Sequence, residues 1–549
     1  MSASRAALPS IREEMHFGRR VRCYIARPRS IGDFYARSVR EHAHSDAIVD
    51  GDVRLSYAEL DEHVQRVAAN LRASPLQAGD RIAIVLDNRW QFVVALLASI
   101  RAGLIAVPLN VRLAAPELNR ILKDCGARVV IAEARIIVSL GQGDDVPAPL
   151  TAYVVEQAPE QSRTIDGGRI EIAGFARLLA SPVQALAASE VHEEDIAIIL
   201  YTSGTTGQPK GAMLTHFNVV HSCLHYTNCF ELGERERSVL VVPASHVTGV
   251  VAIISSMVYT GGAVLLMRRF DAHEFLAVAA RECMTHTVMV PAMYNLCLMR
   301  ADFERHDLGS WRVGAYGGAP MPEATIAALT QKLPHLQLAN AYGATETTSP
   351  ATLMPLGQTG SHGDSVGRAV PCGELRVVDE QGANVPAGHT GEIWIAGPMV
   401  VPGYWNDPPG ARGAFVDGYW RSGDVGAVDA DGYLRVFDRI KDMINRGGYK
   451  VYSVEVENVL KFHPAVADVA VVAKPDPVLG EKVRAIVQLT QETAQRREDE
   501  GAVADLLRAF CRERLADYKV PEFISFSREA LPRNAAGKLL KRELRSRRL

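Results

Sequence analysis

Apolar residues in the first half of the chain fall into short runs that alternate with stretches of helical spacing. Arg81 to Leu86, Leu104 to Leu109 and Val129 to Ala132 have the strand pattern, and Trp90 to Ala102 has the helical one. Such alternation predicts βαβ units and a mainly parallel sheet covered by helices. A second series repeats the texture. Ala197 to Tyr201, Ser238 to Val242, Ala263 to Leu266 and His286 to Val290 are its strands, and Thr215 to Phe230 and Phe275 to Glu282 its helices. Two similar α/β layers are expected, although no sequence repeat relates them. From about Gly367 the segments shorten and alternate, as in Leu375 to Val378 and Glu392 to Ala396, which predicts a small antiparallel β unit. After Arg439 to Lys441 the order becomes helix (Val454 to Phe462), strand (Val466 to Val472), strand (Val483 to Leu489), helix (Ala502 to Glu513) and strand (Pro521 to Phe526). This predicts a compact α+β domain, with Lys474 to Leu479 and Thr490 to Gly501 as surface loops. The expected fold class is therefore α/β. A large N-terminal domain, residues 1–440, holds two layered α/β subdomains and a small β subdomain, and a small α+β domain follows over 441–549.

Composition narrows the function classes. A chain of 549 residues exceeds one ordinary core, and 48% hydrophobic with 22% charged residues is the balance of a globular protein. Sixty Lys and Arg against 63 Asp and Glu leave a net charge of -3, so no global positive field points to nucleic acid. Eight cysteines, at 23, 125, 223, 229, 283, 297, 372 and 511, form no CxxC pair, which disfavours a disulfide framework and a zinc site and makes a reducing cytoplasm the expected location. Met1 to Arg20 has no apolar core of a secretory signal. Val247 to Met267 is uncharged and long enough to span a bilayer, but its Ser and Thr residues and Gly261-Gly262 predict a buried helix, a turn and a buried strand. The basic run from Lys538 to Leu549 reads as a solvated helix face, with Lys538 set apart.

The segment from Tyr201 to Gly211, Tyr-Thr-Ser-Gly-Thr-Thr-Gly-Gln-Pro-Lys-Gly, directly follows an apolar strand and precedes a helical pattern. A loop at a strand's carboxyl end is where open α/β sheets bind ligands. Gly204, Gly207 and Gly211 let the backbone fold around an anion. Thr202, Ser203, Thr205 and Thr206 offer hydroxyls, and Lys210 offers positive charge. These are the needs of a polyphosphate. The loop is no Walker A motif, because its glycine spacing is too short and Gly211 follows Lys210. A flexible linker would not sit between a buried strand and a helix.

This loop resembles that of the adenylate-forming superfamily, which includes acyl-CoA synthetases (AMP-dependent carboxylate–CoA ligases), firefly luciferase and nonribosomal peptide adenylation domains. Tyr316 to Met321, Asn340 to Glu346, Tyr419 to Asp424, Asp438 to Asp442 and Pro532 to Lys538 resemble its other signature segments, in the same order. The resemblance implies an enzyme that activates a carboxylic acid with ATP and Mg²⁺ to an acyl-adenylate and transfers the acyl group to coenzyme A. It implies that Gly318, Ala319 and Pro320 line the adenine pocket, flanked by Asn340, Ala341, Tyr342 and Gly343, with the Tyr342 ring on the base. Thr345 would touch phosphate and Glu346 would hold Mg²⁺. Asp424 would accept from the ribose hydroxyls, with Arg439 beside the sugar. Lys538 would contact the α-phosphate and the substrate carboxylate. Lys441 would be the hinge of a mobile C-terminal domain, and Gly447, Gly448 and Tyr449 would border the pantetheine path. His246, in Pro243 to Gly249, would stand where acyl pocket and thiol path meet.

Segments Val247 to Ile254, Met289 to Met293, Gly314 to Gly317 and Ala341 to Gly343 are expected to wall the acyl pocket. They carry no cation, which favours a neutral apolar or aromatic acid. No Asp near Pro243 to Gly249 would hold an amino acid's ammonium. A ligase that loads a carrier protein is the alternative, weakened by the uninterrupted Val425 to Lys450. A light-emitting relative is weakened by Asn445, where such enzymes show a lysine. A regulator that has lost catalysis is opposed by intact Lys210, Glu346, Asp424, Arg439 and Lys538. The expected partners are the acid, ATP and CoA, with a homodimer allowed and neither nucleic acid nor a membrane span among them.

Overall fold

The computed structural model of the chain describes residues 9–140, 150–156, 163–165, 168–180, 191–202, 209–407, 412–495, 499–533 and 539–546. It resolves into two compact units, Met1–Leu375 with Ile395–Arg421, and Arg376–Trp394 with Ser422–Leu549.

The first unit is built on two sheets. One has the strand order Lys210–Thr215, Ile196–Thr202, Ile105–Pro108, Arg81–Val85, Val129–Ala132, Leu150–Val154, Gly168–Gly174, Arg163–Ile165. Its inner strands are parallel, with Ile82 opposite both Ala106 and Val129, and its outermost pairs are antiparallel. Ile84, Val107 and Val130 are fully buried, as strands covered on both faces require. Helix Trp90–Arg101 is buried from Phe92 through Ile100. Its single hydroxyl in that stretch, Ser99 Oγ, donates to the Ala95 carbonyl at 2.7 Å, so apolar burial leaves no orphan there.

The second sheet runs Arg368–Ala369, Thr352–Leu353, Gln337–Tyr342, Val313–Tyr316, His286–Met289, Arg237–Leu240, Ala263–Leu266, Asp46–Asp50, Val53–Ser56. It is parallel from Gln337–Tyr342 to Asp46–Asp50. The two α/β layers expected from the sequence are thus both present. Phe275, Tyr294, Trp311 and Leu329 pack on one face of this sheet in a single core. Each such fully buried side chain contributes roughly 1.5–3 kcal/mol.

Helix His216–Cys229 begins where the sequence placed it. Thr215 accepts from the Asn218 N–H at 3.2 Å, and the Asn218 side chain bonds back to Thr215. The same Asn218 amide donates to the carbonyls of Pro398 (2.7 Å) and Val400 (3.2 Å), so the helix start also holds the segment that leads to Tyr404. The uncharged stretch after Val247 is a buried helix with an unusual register. Thr248–Ser255 is π-helical and Ser256–Thr260 α-helical, with Gly261 left-handed (φ 72°) ahead of strand Ala263–Leu266. Ser255 and Ser256 donate their hydroxyls to the carbonyls of Val250 (2.8 Å) and Val251 (3.0 Å), five residues back, which suits the wider turn. Among the described residues no helix is long and apolar enough to cross a membrane. All eight cysteines are unpaired.

Antiparallel pairing dominates the shorter strands between the large sheets and the C-terminal region, with Phe415 opposite Trp420 and Asp424 opposite Arg439. The second unit ends in a sheet ordered Tyr449–Val451, Ile444–Arg446, Gly480–Leu489, Val466–Asp476, with Phe523–Ser527 parallel to Gly480–Leu489. Helices Ser453–Lys461 and Glu500–Arg512 contribute Val456, Leu460 and Leu507 to its core.

Three expectations need correction here. Lys474 to Leu479 is not a loop throughout, because the hairpin continues in register to Asp476 opposite Gly480. Asp476 Oδ1 accepts the N–H groups of Val478 and Leu479 and so closes a tight turn. Thr490 to Gly501 contains a short helix, Gln491–Gln495, and the start of helix Glu500–Arg512, capped by Asp499. The basic C-terminal helix, Lys541–Ser546, is no simple solvated face. Lys541 pairs with buried Glu457 at 2.7 Å, and Arg545 with Asp442 at 2.8 Å.

Candidate active site

In the first unit the candidate residues gather where parallel strands end. Strand Ile196–Thr202 turns back as Lys210–Thr215, with Tyr201 opposite Gly211 and Thr202 opposite Lys210. Ser203, Gly204, Thr205, Thr206 and Gly207 lie outside the described residues. Both flanks of the loop are tied down. Tyr201 donates its hydroxyl to Asp124, and a Cβ on Gly211 would stand 2.7 Å from Ile199 Cγ2 and 3.3 Å from Trp405 Cβ. Close packing alone therefore already requires a glycine at 211.

Strands Val313–Tyr316 and Gln337–Tyr342 are neighbours, with Tyr316 opposite Asn340, and their exits form adjoining loops. A Cβ on Gly317 would lie 2.4 Å from the Ala341 carbonyl oxygen, so the loop after Tyr316 touches the backbone of the neighbouring strand near its end. Gly318, left-handed at φ 78°, Ala319 and Pro320 are exposed, Tyr342 is half-buried, and Asn340 and Ala341 are buried. An exposed small-residue edge next to an aromatic ring fits a planar base.

Gly343 leads to Thr345 and Glu346 in a short 3₁₀ turn. Glu346 is buried and accepts a hydrogen bond from Tyr404 Oη at 2.8 Å. The Tyr404 ring lies beneath Lys210, whose Nζ is 4.8 Å from the ring centroid and 3.9 Å from Asp407 Oδ2. Lys210 and Glu346, predicted from separate motifs, are thus joined through a tyrosine that the sequence reading missed. The only signal for it was an aromatic pair, Tyr404-Trp405, after Pro402-Gly403.

His246 sits in the turn before the π-helix. Its Nδ1 accepts the Thr248 N–H at 3.4 Å, which leaves the other ring nitrogen as the N–H in the neutral form. Surrounding protein holds its pKa below the usual histidine value, while the residue keeps an exposed edge. The turn depends on Gly249, where a Cβ would come within 2.4 Å of the Pro243 carbonyl oxygen.

The second unit contributes its own group. Asp424 and Arg439 face each other across an antiparallel pair, with Arg439 Nε 3.2 Å from Asp424 Oδ1. Asp424 is buried and its backbone N–H donates to Ser422 Oγ. Burial, then the neighbouring charges of Arg439 and Arg545, pull the Lys441 pKa below its usual value, and Asp442 only partly offsets them. Gly447 (φ 58°) and Gly448 (φ 92°) make a left-handed corner closed by Gly447 N–H to Leu479 O at 2.8 Å and Gly448 N–H to Asn445 Oδ1 at 3.1 Å. Tyr449 stacks on Tyr518 at 4.8 Å and is 60% exposed. Lys538 lies outside the described residues. Pro532 and Leu540 on either side of it are joined by a 2.9 Å backbone hydrogen bond.

The profile of the AMP-binding enzyme family matches residues 35–405, and that of the AMP-binding enzyme C-terminal domain matches residues 455–538. The chain belongs to the AMP-binding enzyme family. It is 34% identical over 528 residues to a feruloyl-CoA synthase of Amycolatopsis sp., covering 95% of this chain and 99% of that protein. It is 33% identical over 497 residues to a long-chain-fatty-acid–CoA ligase of Mycobacterium tuberculosis, covering 90% and 93%. An anthranilate CoA ligase solved with anthranoyl-AMP superposes with a TM-score of 0.85 at 27% identity, covering 94% of this chain and 96% of that one. This AMP-binding enzyme is an acid–CoA ligase that works through an acyl-adenylate, with ATP, Mg²⁺ and CoA as its cosubstrates and ion. The donor set fits the ion, since Mg²⁺ takes one or two carboxylates with substrate phosphates, and Glu346 offers one buried carboxylate.

Proposed function

We propose that this ligase activates a neutral apolar or aromatic carboxylic acid. The observation that carries the reading is the character of the segments expected to line the acyl pocket. Val250, Val251, Ile254 and Met289 are buried, and residues 247–254, 289–293, 314–317 and 341–343 contain no charged side chain. An acid with a second charged group would leave that group unpaired there. Relatives named for ferulate, anthranilate and long-chain fatty acids agree with this class.

The acid's carboxylate oxygen attacks the α-phosphorus of ATP, and the bond to pyrophosphate breaks with its electron pair leaving on pyrophosphate. Glu346 would hold Mg²⁺, which would supply charge neutralisation at the phosphates. Lys210 with the hydroxyls of Thr202, Ser203, Thr205 and Thr206 holds the phosphates, joined by Thr345. Gly318, Ala319, Pro320 and Tyr342 seat the base, and Asp424 with Arg439 orients the ribose. Lys538 draws carboxylate and α-phosphate together. The domain after residue 440 then turns about Lys441, so that Gly447 and Gly448 border the thiol path. The thiol sulfur attacks the acyl carbon, its proton passes to solvent, and the bond from the acyl carbon to the phosphate oxygen breaks with its electron pair leaving on AMP. The enzyme is placed in the cytoplasm, which its unpaired cysteines support, and a homodimer remains compatible with it.

The test is release of AMP and pyrophosphate from Mg-ATP across aliphatic, aromatic and hydroxycinnamic acids, with and without CoA. Turnover on neutral acids, with dicarboxylates rejected, supports the reading, and preference for a charged acid overturns it. His246 is placed at the junction of acyl pocket and thiol path. His246→Ala should therefore slow thioester formation from supplied acyl-adenylate about 10–100-fold, while pyrophosphate release in the first half-reaction changes much less. Equal losses in both halves would remove His246 from that junction.

A further inference from the structure

Segment Val401 to Asp407 runs beside the Lys210–Thr215 strand as an added edge. Met213 N–H donates to Gly403 O at 3.1 Å, Trp405 N–H donates to Gly211 O at 2.7 Å, and Ala212 bridges Tyr404 in antiparallel register. From this edge the segment grips Glu346 twice. The Val401 N–H donates to the Glu346 carbonyl at 3.0 Å, and Tyr404 Oη donates to the Glu346 carboxylate oxygen Oε1 at 2.8 Å. The same tyrosine presents its ring face to the Lys210 ammonium at 4.8 Å.

We infer that Tyr404 is the positioning residue of the phosphate and metal end of the site: its hydroxyl fixes one oxygen of Glu346 while its ring aims Lys210. This rests on the reading that Glu346 holds Mg²⁺ and Lys210 holds phosphate.

A carboxylate that serves a cation through one oxygen gains from a neutral donor on the other. The donor fixes the plane of the carboxyl group without cancelling its charge. Tyr404 suits that task by geometry, because its phenol is a neutral donor that meets Glu346 Oε1 at 2.8 Å and leaves the other carboxylate oxygen to the cation. Phe415 packs edge-on to the Tyr404 ring at 5.6 Å and restricts its rotation. On the ring's other contact, an ammonium over an aromatic face keeps its full charge, whereas a close carboxylate partner would have to be displaced by incoming phosphate. Asp407, at 3.9 Å, is a loose partner that permits such an exchange.

The test compares three variants, Tyr404→Phe, Tyr404→Leu and Glu346→Gln, each first checked for an unchanged thermal transition. Mn²⁺ binding to the enzyme–ATP complex, followed by electron paramagnetic resonance without acid or CoA, gives a readout independent of turnover. Tyr404→Phe keeps the ring and loses the donor, so Mn²⁺ should bind about 10-fold more weakly, with ATP binding in the absence of metal near the parent value. Tyr404→Leu also loses the ring, and metal-free ATP should then bind several-fold more weakly. Parent-like Mn²⁺ binding by Tyr404→Phe, with Glu346→Gln impaired, overturns the inference alone. Parent-like binding by Glu346→Gln overturns the assignment of Glu346 on which it stands. If Tyr404→Phe lowers the thermal transition, the metal-free ATP affinity decides: a loss equal to that of Tyr404→Leu makes Tyr404 a packing residue and overturns the inference.

Discussion

Replacing Lys538 with Ala is expected to slow acid-dependent pyrophosphate release about 10²–10³-fold while leaving CoA-dependent discharge of supplied acyl-adenylate close to the parent rate. The first half-reaction brings two anions together, and a positioned cation lowers the barrier most where charge accumulates. The second half-reaction joins a thiol to an adenylate in which the carboxylate oxygen is already bonded to phosphorus, so the two anions no longer have to be brought together. Lys538 occurs in Pro532-Arg-Asn-Ala-Ala-Gly-Lys538, and the chain on either side is anchored independently of it. Arg533 bridges Leu539, and Leu540 N–H donates to Pro532 O. The variant should therefore keep the ends of the segment in place, so that the loss reports the missing ammonium. Single-turnover pyrophosphate release and AMP release from synthetic acyl-adenylate separate the halves. Comparable losses in both would make Lys538 a structural residue, and no loss would remove it from the reaction.

Elements governed by local pattern were legible in the sequence. Val129–Ala132 and Ala263–Leu266 are strands over the residues their apolar runs specify, and the helix between Thr215 and Phe230 is bounded by its own capping box. Periodicity could not reveal a π-register, because the uncharged run at Thr248–Ser255 reads as helix in either winding; the hydroxyls of Ser255 and Ser256, which reach back five residues, accompany the wider turn. Lys474 to Leu479 was expected to be a surface loop, yet Pro475 lies opposite Glu481 in a hairpin long enough to carry it near its tip. Lys210 and Glu346 were singled out because each stands in a motif. Tyr404 was not, since its partner Glu346 lies 58 residues away and neither residue signals the other. The role of Lys541 was hidden in the same way, its charge lost among the neighbouring arginines until the fold paired it with Glu457.

That pair carries the largest stability effect expected in the second unit. Lys541 Nζ donates to Glu457 Oε1 and to Ser453 Oγ, both at 2.7 Å, with the two charged side chains only 11% and 8% exposed. Ser453 in turn donates its hydroxyl (2.7 Å) and backbone N–H (2.5 Å) to Asp438, in the strand that leads to Lys441. Glu457 also accepts the Val471 N–H at 2.8 Å. Lys541→Met would leave a buried carboxylate without its cation, a change that costs about 3–5 kcal/mol. The pH dependence has a defined sign. Burial already raises the Glu457 pKa above its usual value, and Lys541 is the foremost influence opposing that rise. In the variant the folded-state pKa should climb further. A carboxyl group with a raised folded pKa contributes its stability fully below the unfolded value, near 4.5, and loses it as pH rises through the folded value. The variant's deficit should therefore be greatest near neutral pH and shrink toward pH ~5. Urea unfolding of the full chain at both pH values measures this, and Lys541→Met with Glu457→Gln together should recover much of the loss by removing the stranded charge. A deficit that is the same at both pH values, or no recovery in the double variant, would mean that Lys541 acts through packing of its methylene chain and not through its charge.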